Sequence, residues 1–158
     1  MIPELNRLFE EITGEKVQEI TEFPSSGSNR KYFRLKSWHF TRIGVWGASP
    51  EENRAFVYLS AHLRKQGLPV PEVYEHTDDY MYYVQEDLGD TLLFDALEGG
   101  RKSGEFSRQE CLFLQQTIRL LPVLQFKGAE NLDFSRCYPR PELSLIHISE
   151  PTRLGMIS

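Results

Sequence analysis

The sequence predicts an α+β fold: a small antiparallel sheet with one packed helix, followed by a region of helices only. Three observations carry this reading. Residues 17–46 hold three strand-like segments separated by turn clusters. Residues 49–67 form an amphipathic helix with clear start and stop signals. Two further strand-like segments at 73–86 precede a stretch whose apolar residues recur at helical spacing. A sheet followed by helices alone suggests two lobes.

Leu5, Leu8, Phe9 and Ile12 recur at helical spacing and Gly14 is a natural stop, so residues 4–13 read as a short amphipathic helix. Val17–Phe23 is rich in strand formers. Pro24-Ser25-Ser26-Gly27-Ser28-Asn29 is a turn cluster. Arg30–Lys36 alternates, with Lys31, Phe33 and Leu35 on one face and Tyr32 and Arg34 on the other. Phe40–Trp46 is the third strand, completing an antiparallel meander. Ser49 at the N-cap, Pro50 at N1 and Glu52 at N3 form a capping-box signature for a helix over 50–66. Phe56, Leu59 and Leu63 are its apolar stripe and Gly67 its end. Each residue before a proline in Leu68-Pro69-Val70-Pro71 is pushed to extended geometry. Val73–His76 and Tyr80–Glu86 read as strands joined at Asp78-Asp79. Leu88-Gly89-Asp90 breaks the pattern, Thr91–Glu98 reads as a short helix and Gly99–Gly104 as a polar loop. Ser107 caps a helix over roughly 108–121 with Cys111, Leu114, Ile118 and Leu121 on one stripe. Pro122 kinks or ends it.

The 158 residues are 40% hydrophobic, 12% aromatic and 26% charged, the composition of a soluble globular chain. A net charge of −5 leaves no cationic surface for general binding to nucleic acid or a membrane surface. No apolar run approaches the ~20 residues of a membrane helix, and the first residues lack a signal peptide's basic start and apolar stretch. Cys111 and Cys137 have no metal-ligand spacing and read as free thiols of a reducing cytoplasm.

Three blocks carry a resemblance. They are Pro24-Ser25-Ser26-Gly27-Ser28-Asn29-Arg30-Lys31-Tyr32-Phe33-Arg34-Leu35; Ser49-Pro50-Glu51-Glu52-Asn53-Arg54-Ala55-Phe56 with Gly67-Leu68-Pro69-Val70-Pro71; and Tyr83-Val84-Gln85-Glu86-Asp87-Leu88-Gly89-Asp90. In this order and spacing they resemble the N-terminal lobe of the aminoglycoside/choline kinase-like phosphotransferases, which share the protein-kinase-like fold. The nearest likeness is to bacterial sugar-kinase-like members. The resemblance covers residues 1–142. It implies a kinase-like N-lobe over 1–87, with a five-stranded antiparallel sheet and one packed helix. An interlobe hinge and the first helices of an incomplete C-lobe would follow over 88–142.

It also implies an ATP-dependent small-molecule kinase, with a sugar or amino sugar among the candidate acceptors and Mg2+ held by residues of the C-lobe. Ser26, Gly27, Ser28, Asn29 and Arg30 would lie at the phosphates, where a small-residue loop leaves its backbone N–H groups unobstructed. From its residues alone the loop reads as an ordinary hairpin turn, and it is the resemblance that turns the reading to phosphates; Arg30 and Lys31 are equally solvated strand ends. Glu86 and Leu88 would offer hinge backbone groups to an adenine ring. In the wider fold a helix Glu pairs with a third-strand Lys. Here the third strand has no lysine, only Arg42, so Glu52 reads as a capping-box residue worth about 1 kcal/mol.

His76-Thr77-Asp78 and Asp133-Phe134-Ser135 superficially match catalytic motifs, but Asp78 is followed five residues on by Tyr83 rather than Asn, and no catalytic loop precedes Asp133. The chain is therefore expected to be inert by itself. A non-catalytic nucleotide-binding or adaptor module is the alternative, and a small α+β domain that binds protein is a third reading. The final segment, Leu143–Ser158, resembles the in-frame translation of a transposon-type sequencing-library adaptor. That likeness implies that residues 143–158 are foreign to the fold and that the natural protein continues past Glu142. Its local pattern by itself allows a short strand and a loop.

Overall fold

A computed structural model describes residues 2–24 and 29–138. The order is α1 (Ile2–Thr13), β1 (Glu19–Glu22), β2 (Arg30–Lys36), β3 (Thr41–Gly47), α2 (Pro50–Lys65), β4 (Val73–His76), β5 (Tyr82–Glu86), α3 (Leu93–Ala96), α4 (Glu98–Ser103), α5 (Arg108–Phe126) and a 3-10 turn at Phe134–Arg136. The strands form one antiparallel sheet in the order β1-β2-β3-β5-β4. A five-stranded antiparallel sheet with several helices is compatible with a kinase-like small lobe but not specific to it.

The register separates the sheet's two faces. Phe33 pairs with Gly44 and Gly44 with Val84, so these three share a face with Leu35. Tyr32 pairs with Val45 and Val45 with Tyr83, which puts them on the opposite face with Ile43. α1 lays Leu5, Leu8 and Phe9 on the first face, against Phe33, Leu35 and Val84. α2 brings Phe56 to the second, against Ile43, Val45 and Tyr83. The sheet is thus covered by helices on both sides, and the expectation of one packed helix is corrected. The reason is visible in the strands, which carry buried apolar residues on both faces.

The two helices are attached differently. Leu5, Leu8 and Phe9 of α1 are fully buried, each contributing about 1.5–3 kcal/mol. α1 approaches so closely because β3 has Gly44 beneath it. A Cβ there would lie 2.9 Å from Leu35 Cδ1 and 3.1 Å from the Leu5 methyls. The buried residues of α2 are instead Asn53, Ala55 and Ser60. The expected stripe of Phe56, Leu59 and Leu63 is only half-buried.

Two further expectations are corrected. The Gly99–Gly104 stretch is helical as part of α4, because the Gly100 N–H donates to Glu110 Oε1 at 2.7 Å and Gly100 leaves room for the Phe106 ring. Tertiary contacts there outweigh glycine's poor helix propensity. α5 runs through Pro122 to Phe126, and among its residues only Glu110 is buried. The segment assigned to an adaptor-derived tail lies outside the described residues.

Candidate functional site

Of the residues expected at a phosphate-binding loop, Ser26, Gly27 and Ser28 lie outside the described residues. Asn29 is exposed at the entry to β2. Arg30, the first residue of β2, is far from a solvated strand end: its side chain is 14% exposed and its Nη2 lies 2.9 Å from Glu52 Oε1. Arg30 Nη2 also donates to the Glu52 carbonyl at 3.4 Å, and Arg30 Nε donates to Asn53 Oδ1 at 3.2 Å. The guanidinium stands 5.3 Å from the centre of the Phe56 ring. Residues 22 and 23 positions apart in the chain are thereby fixed together across the sheet–helix boundary.

This revises the role of Glu52. Ser49 Oγ accepts from the Glu52 N–H at 3.3 Å, so half of the expected capping box forms. The Glu52 carboxylate turns away from the cap to Arg30. An ion pair is the stronger attraction for a carboxylate that a strand cation can reach. A complete capping box occurs instead at α5, where Ser107 and Glu110 exchange hydrogen bonds. The Gly100 N–H, the Ser107 hydroxyl and the Ser107 N–H hold the Glu110 carboxyl below its ordinary range.

Arg42, the cation of β3, is on the other face, since it pairs in register with Leu35. It sits 4.6 Å over the Tyr74 ring and 5.4 Å from the centre of Phe40, and donates to the Thr41 carbonyl at 2.8 Å. It is not placed to meet Glu52.

Asn53 is the residue that the sequence reading missed. It is 1% exposed, and both its Nδ2 and its Oδ1 are hydrogen-bonded. Nδ2 donates to the Gly47 carbonyl at 3.0 Å and to the Tyr80 carbonyl at 2.7 Å, while Oδ1 accepts from Arg30. One amide thus joins the start of β2, the end of β3, the first turn of α2 and the turn before β5. Gly47 is required by this arrangement, since a Cβ at that position would overlap the Asn53 side chain. Tyr80 adopts a left-handed φ of 57°, a costly conformation for a bulky residue. Asn53 holds its carbonyl, His76 stacks on its ring at 4.3 Å and Arg54 lies 4.8 Å over it. Beneath the cluster the Tyr83 hydroxyl is buried with no hydrogen-bond partner among the described residues, and burial pushes it well above the usual phenol range. A polar residue in a helix's first turn gave no signal that separated Asn53 from a solvated one.

The expected hinge residues close β5. The Glu86 N–H donates to the Glu72 carbonyl at 2.8 Å. The Glu86 carboxylate accepts from the Glu72 N–H at 3.2 Å and from Arg64 Nη1 at 3.3 Å, tying the strand to the end of α2. Leu88 is 67% exposed, and among the described residues its backbone takes part in no hydrogen bond. Between them Asp87 is gripped by Arg34, whose Nε and Nη2 donate to its two oxygens at 2.7 and 3.0 Å. Arg34 also reaches Asp90 at 2.7 Å, and its guanidinium lies 5.1 Å from the centre of the Phe23 ring. The two carboxylates raise the already high pKa of Arg34 further, and Arg34 holds the Asp90 carboxyl below its ordinary range. With partners 53 and 56 residues away, this cluster has no sequence signature.

Asp133 and Asp78, the two superficial motif matches, have local surroundings. Asp133 caps the 3-10 turn through the Ser135 N–H and hydroxyl, and Asp78 sits in the β4–β5 connection. Among the described residues no group of three or more His, Cys, Asp or Glu side chains is placed to hold a metal ion. Cys111 and Cys137 are free thiols. Among the described residues no helix is long and apolar enough to cross a membrane. No protein-family model matches the chain, and no curated protein matches it either.

Proposed function

We propose that this chain is the nucleotide-gripping part of an ATP-dependent small-molecule phosphotransferase related to the aminoglycoside/choline kinase-like group. The observation that carries the reading is the 2.9 Å ion pair between Glu52 of α2 and Arg30 of β2, beside the turn that the resemblance assigns to phosphates. A strand cation and a helix carboxylate are paired as in the wider fold, but the cation is an arginine on β2 where that fold has a lysine on β3. The residues present fit a nucleotide in two further respects. Leu88 follows the last strand with a backbone N–H and C=O that no described residue uses, as an adenine edge needs. Asn53 and Glu52 orient the Arg30 guanidinium, so its charge is held in place at the strand's entry.

Bound ATP with Mg2+ would supply the transferable phosphoryl group and neutralise its charge. The Asp that orients an attacking hydroxyl, its accompanying Asn and the metal-binding Asp are expected from a helical lobe beyond the described residues. The chain alone therefore binds nucleotide without transferring phosphate. A second reading, an adaptor that binds nucleotide and transfers nothing, is favoured by β3, whose cation faces α1. A reading frame beyond Glu142 that encodes an Asp-x-x-x-x-Asn segment and a later Asp distinguishes the kinase from the adaptor.

The test is calorimetric titration of the 158-residue chain with ATP in the presence of Mg2+. Saturable binding is expected, weakened at least fivefold by Arg30→Ala, with no phosphate release above blank when amino sugars are added. Absence of any ATP binding by the unmodified chain overturns the nucleotide reading, and clear turnover overturns the claim that the chain is inert.

A further inference from the structure

The segment after α5 crosses back over the outer surface of α2. His62 Nε2, on the outer side of α2, is hydrogen-bonded to the Gly128 carbonyl at 3.0 Å. Gln66 Nε2 donates to the Glu130 carbonyl at 3.1 Å. Tyr58 Oη accepts from the Asp133 N–H at 2.9 Å, and the Arg136 guanidinium covers the Tyr58 ring at 3.8 Å. Ser135–Tyr138 then face Glu51, Arg54 and Ala55 across a cleft of about 530 Å3. The contacts run from the last turn of α2 to its first, so residues 128–138 lie antiparallel along the whole helix.

The inner attachment of α2 explains why this matters. Where α1 is anchored by Leu5, Leu8 and Phe9, no residue of α2 larger than Asn53 is buried. The contacts that seat α2 are largely directional: the Arg30–Glu52 pair, the Asn53 amide and, to the connection before β4, the Ser60 hydroxyl on the Pro71 carbonyl, with the half-buried Phe56 ring packed on Ile43, Val45 and Tyr83. Directional contacts are lost together when a helix shifts by about an ångström, whereas apolar burial falls off gradually.

We infer that residues 128–138 form a strap that keeps α2 seated, so that the helical region following the sheet controls whether the Arg30–Glu52 and Asn53 contacts are closed. Lifting the strap frees the outer face of α2 and lets its first turn withdraw from Arg30. The strap itself stands on the contacts above. Its consequence for ligand binding rests on the nucleotide reading.

The test is amide hydrogen exchange on the full chain, comparing the first turns of α2 (residues 53–57) with α1 (residues 6–12). Tyr58→Phe removes the acceptor for Asp133 and keeps the ring, while Arg136→Met removes the cation from the strap side. Tyr58→Phe is expected to speed exchange at 53–57 about fivefold. Arg136→Met is expected to speed it about threefold. In both variants α1 is unchanged, which also reports that they fold. Exchange at 53–57 that stays constant while residues 133–137 exchange faster overturns the inference, because the segment then only rests on α2. Equal acceleration of α1 and α2 also overturns it, because the contacts then belong to global stability. ATP titration of the same variants keeps the two readings apart. If the unmodified chain binds no ATP, the nucleotide reading fails and the exchange data still decide the strap. If the unmodified chain binds ATP, loosened variants should bind at least twofold more weakly.

Discussion

Replacing Asn53 by alanine is the sharpest perturbation the structure offers. The substitution removes the hydrogen bonds of Asn53 to the Gly47 carbonyl, the Tyr80 carbonyl and Arg30 Nε at once. A buried polar group left without a partner costs about 1–3 kcal/mol. The Gly47 carbonyl is buried and the Tyr80 carbonyl partly so, which puts the loss near 3–4 kcal/mol. Alanine is the better helix former by roughly 0.5 kcal/mol, leaving a net destabilisation of about 3 kcal/mol. With a urea m-value of about 1.5 kcal/mol/M, the unfolding midpoint falls by about 2 M. Asn53→Asp separates the donor from the acceptor. It retains an oxygen for Arg30 but sets a carboxylate against two carbonyl oxygens, so it should be at least as destabilising as alanine despite keeping the size. The measurement is urea denaturation followed by circular dichroism, with m compared to confirm that the native state is unchanged. A midpoint shift below 0.5 M for Asn53→Ala, or an Asp variant as stable as the parent, would refute the assignment of Asn53 as the junction of the four segments.

Two other outcomes are expected. Gly44→Ala brings a methyl within 2.9 Å of Leu35 Cδ1 and 3.1 Å of Leu5. Both neighbours are fully buried, so α1 must shift at a cost of about 1–3 kcal/mol, read as a lower Tm with unchanged far-ultraviolet dichroism. Protonation supplies the other. Asp90, Asp79, Asp133, Glu110 and Glu15 all titrate below their ordinary values, held there chiefly by Arg34, the Thr77 hydroxyl, the Ser135 hydroxyl, the Gly100 N–H and the Ser37 hydroxyl respectively. A carboxyl with a depressed folded-state pKa binds fewer protons folded than unfolded, so its stabilisation is complete above about pH 4–5 and is lost as pH falls through the folded value. Stability should fall steadily below pH 4.5. Arg34→Met should flatten that slope by removing the Asp90 contribution, and an unchanged slope would show that Arg34 does not set it.

Much of the architecture was readable because it depends on local patterns. Strand alternation in Arg30–Lys36 placed Phe33 and Leu35 on one face, as found, and the Ser49-Pro50 start and Gly67 stop of α2 reflect caps that act within a few residues. The failures share a cause, which is that the deciding partner is distant. Nothing near Glu52 in sequence indicates that its carboxylate meets Arg30 rather than its own cap. Nothing near Gly99-Gly100 indicates that Glu110 and Phe106 will hold that stretch helical. α1 read correctly as a helix, but periodicity does not say which surface an apolar stripe will cover. The candidate site was half visible for the same reason. Arg30 and Leu88 stood out through the resemblance, whereas Asn53 and Arg34 gain their meaning only from residues brought alongside them by the sheet. Ile118 and Leu121 of α5 are the opposite case. Their spacing predicted an apolar stripe, and they remain at least half exposed among the described residues.

The contrast between α1 and α2 lies in how each helix is held. A helix fixed by three buried apolar side chains tolerates small displacement with little loss, because burial is non-directional and changes gradually with area. A helix held mainly by an ion pair, one amide and one hydroxyl, with a single half-buried ring packed on the sheet, has a narrower optimum, because hydrogen bonds weaken steeply with angle and distance. Evolution of a stable core would favour the first arrangement on both faces. The α2 face instead buries an asparagine, leaves the Tyr83 hydroxyl without a hydrogen-bond partner among the described residues and holds Tyr80 at positive φ, all within one cluster around Arg30. Each of these costs stability that an apolar seat would not. By this argument an α2 refitted with leucine at Asn53 and Ser60 should either fail to dock or, where it docks, hold the sheet without orienting Arg30.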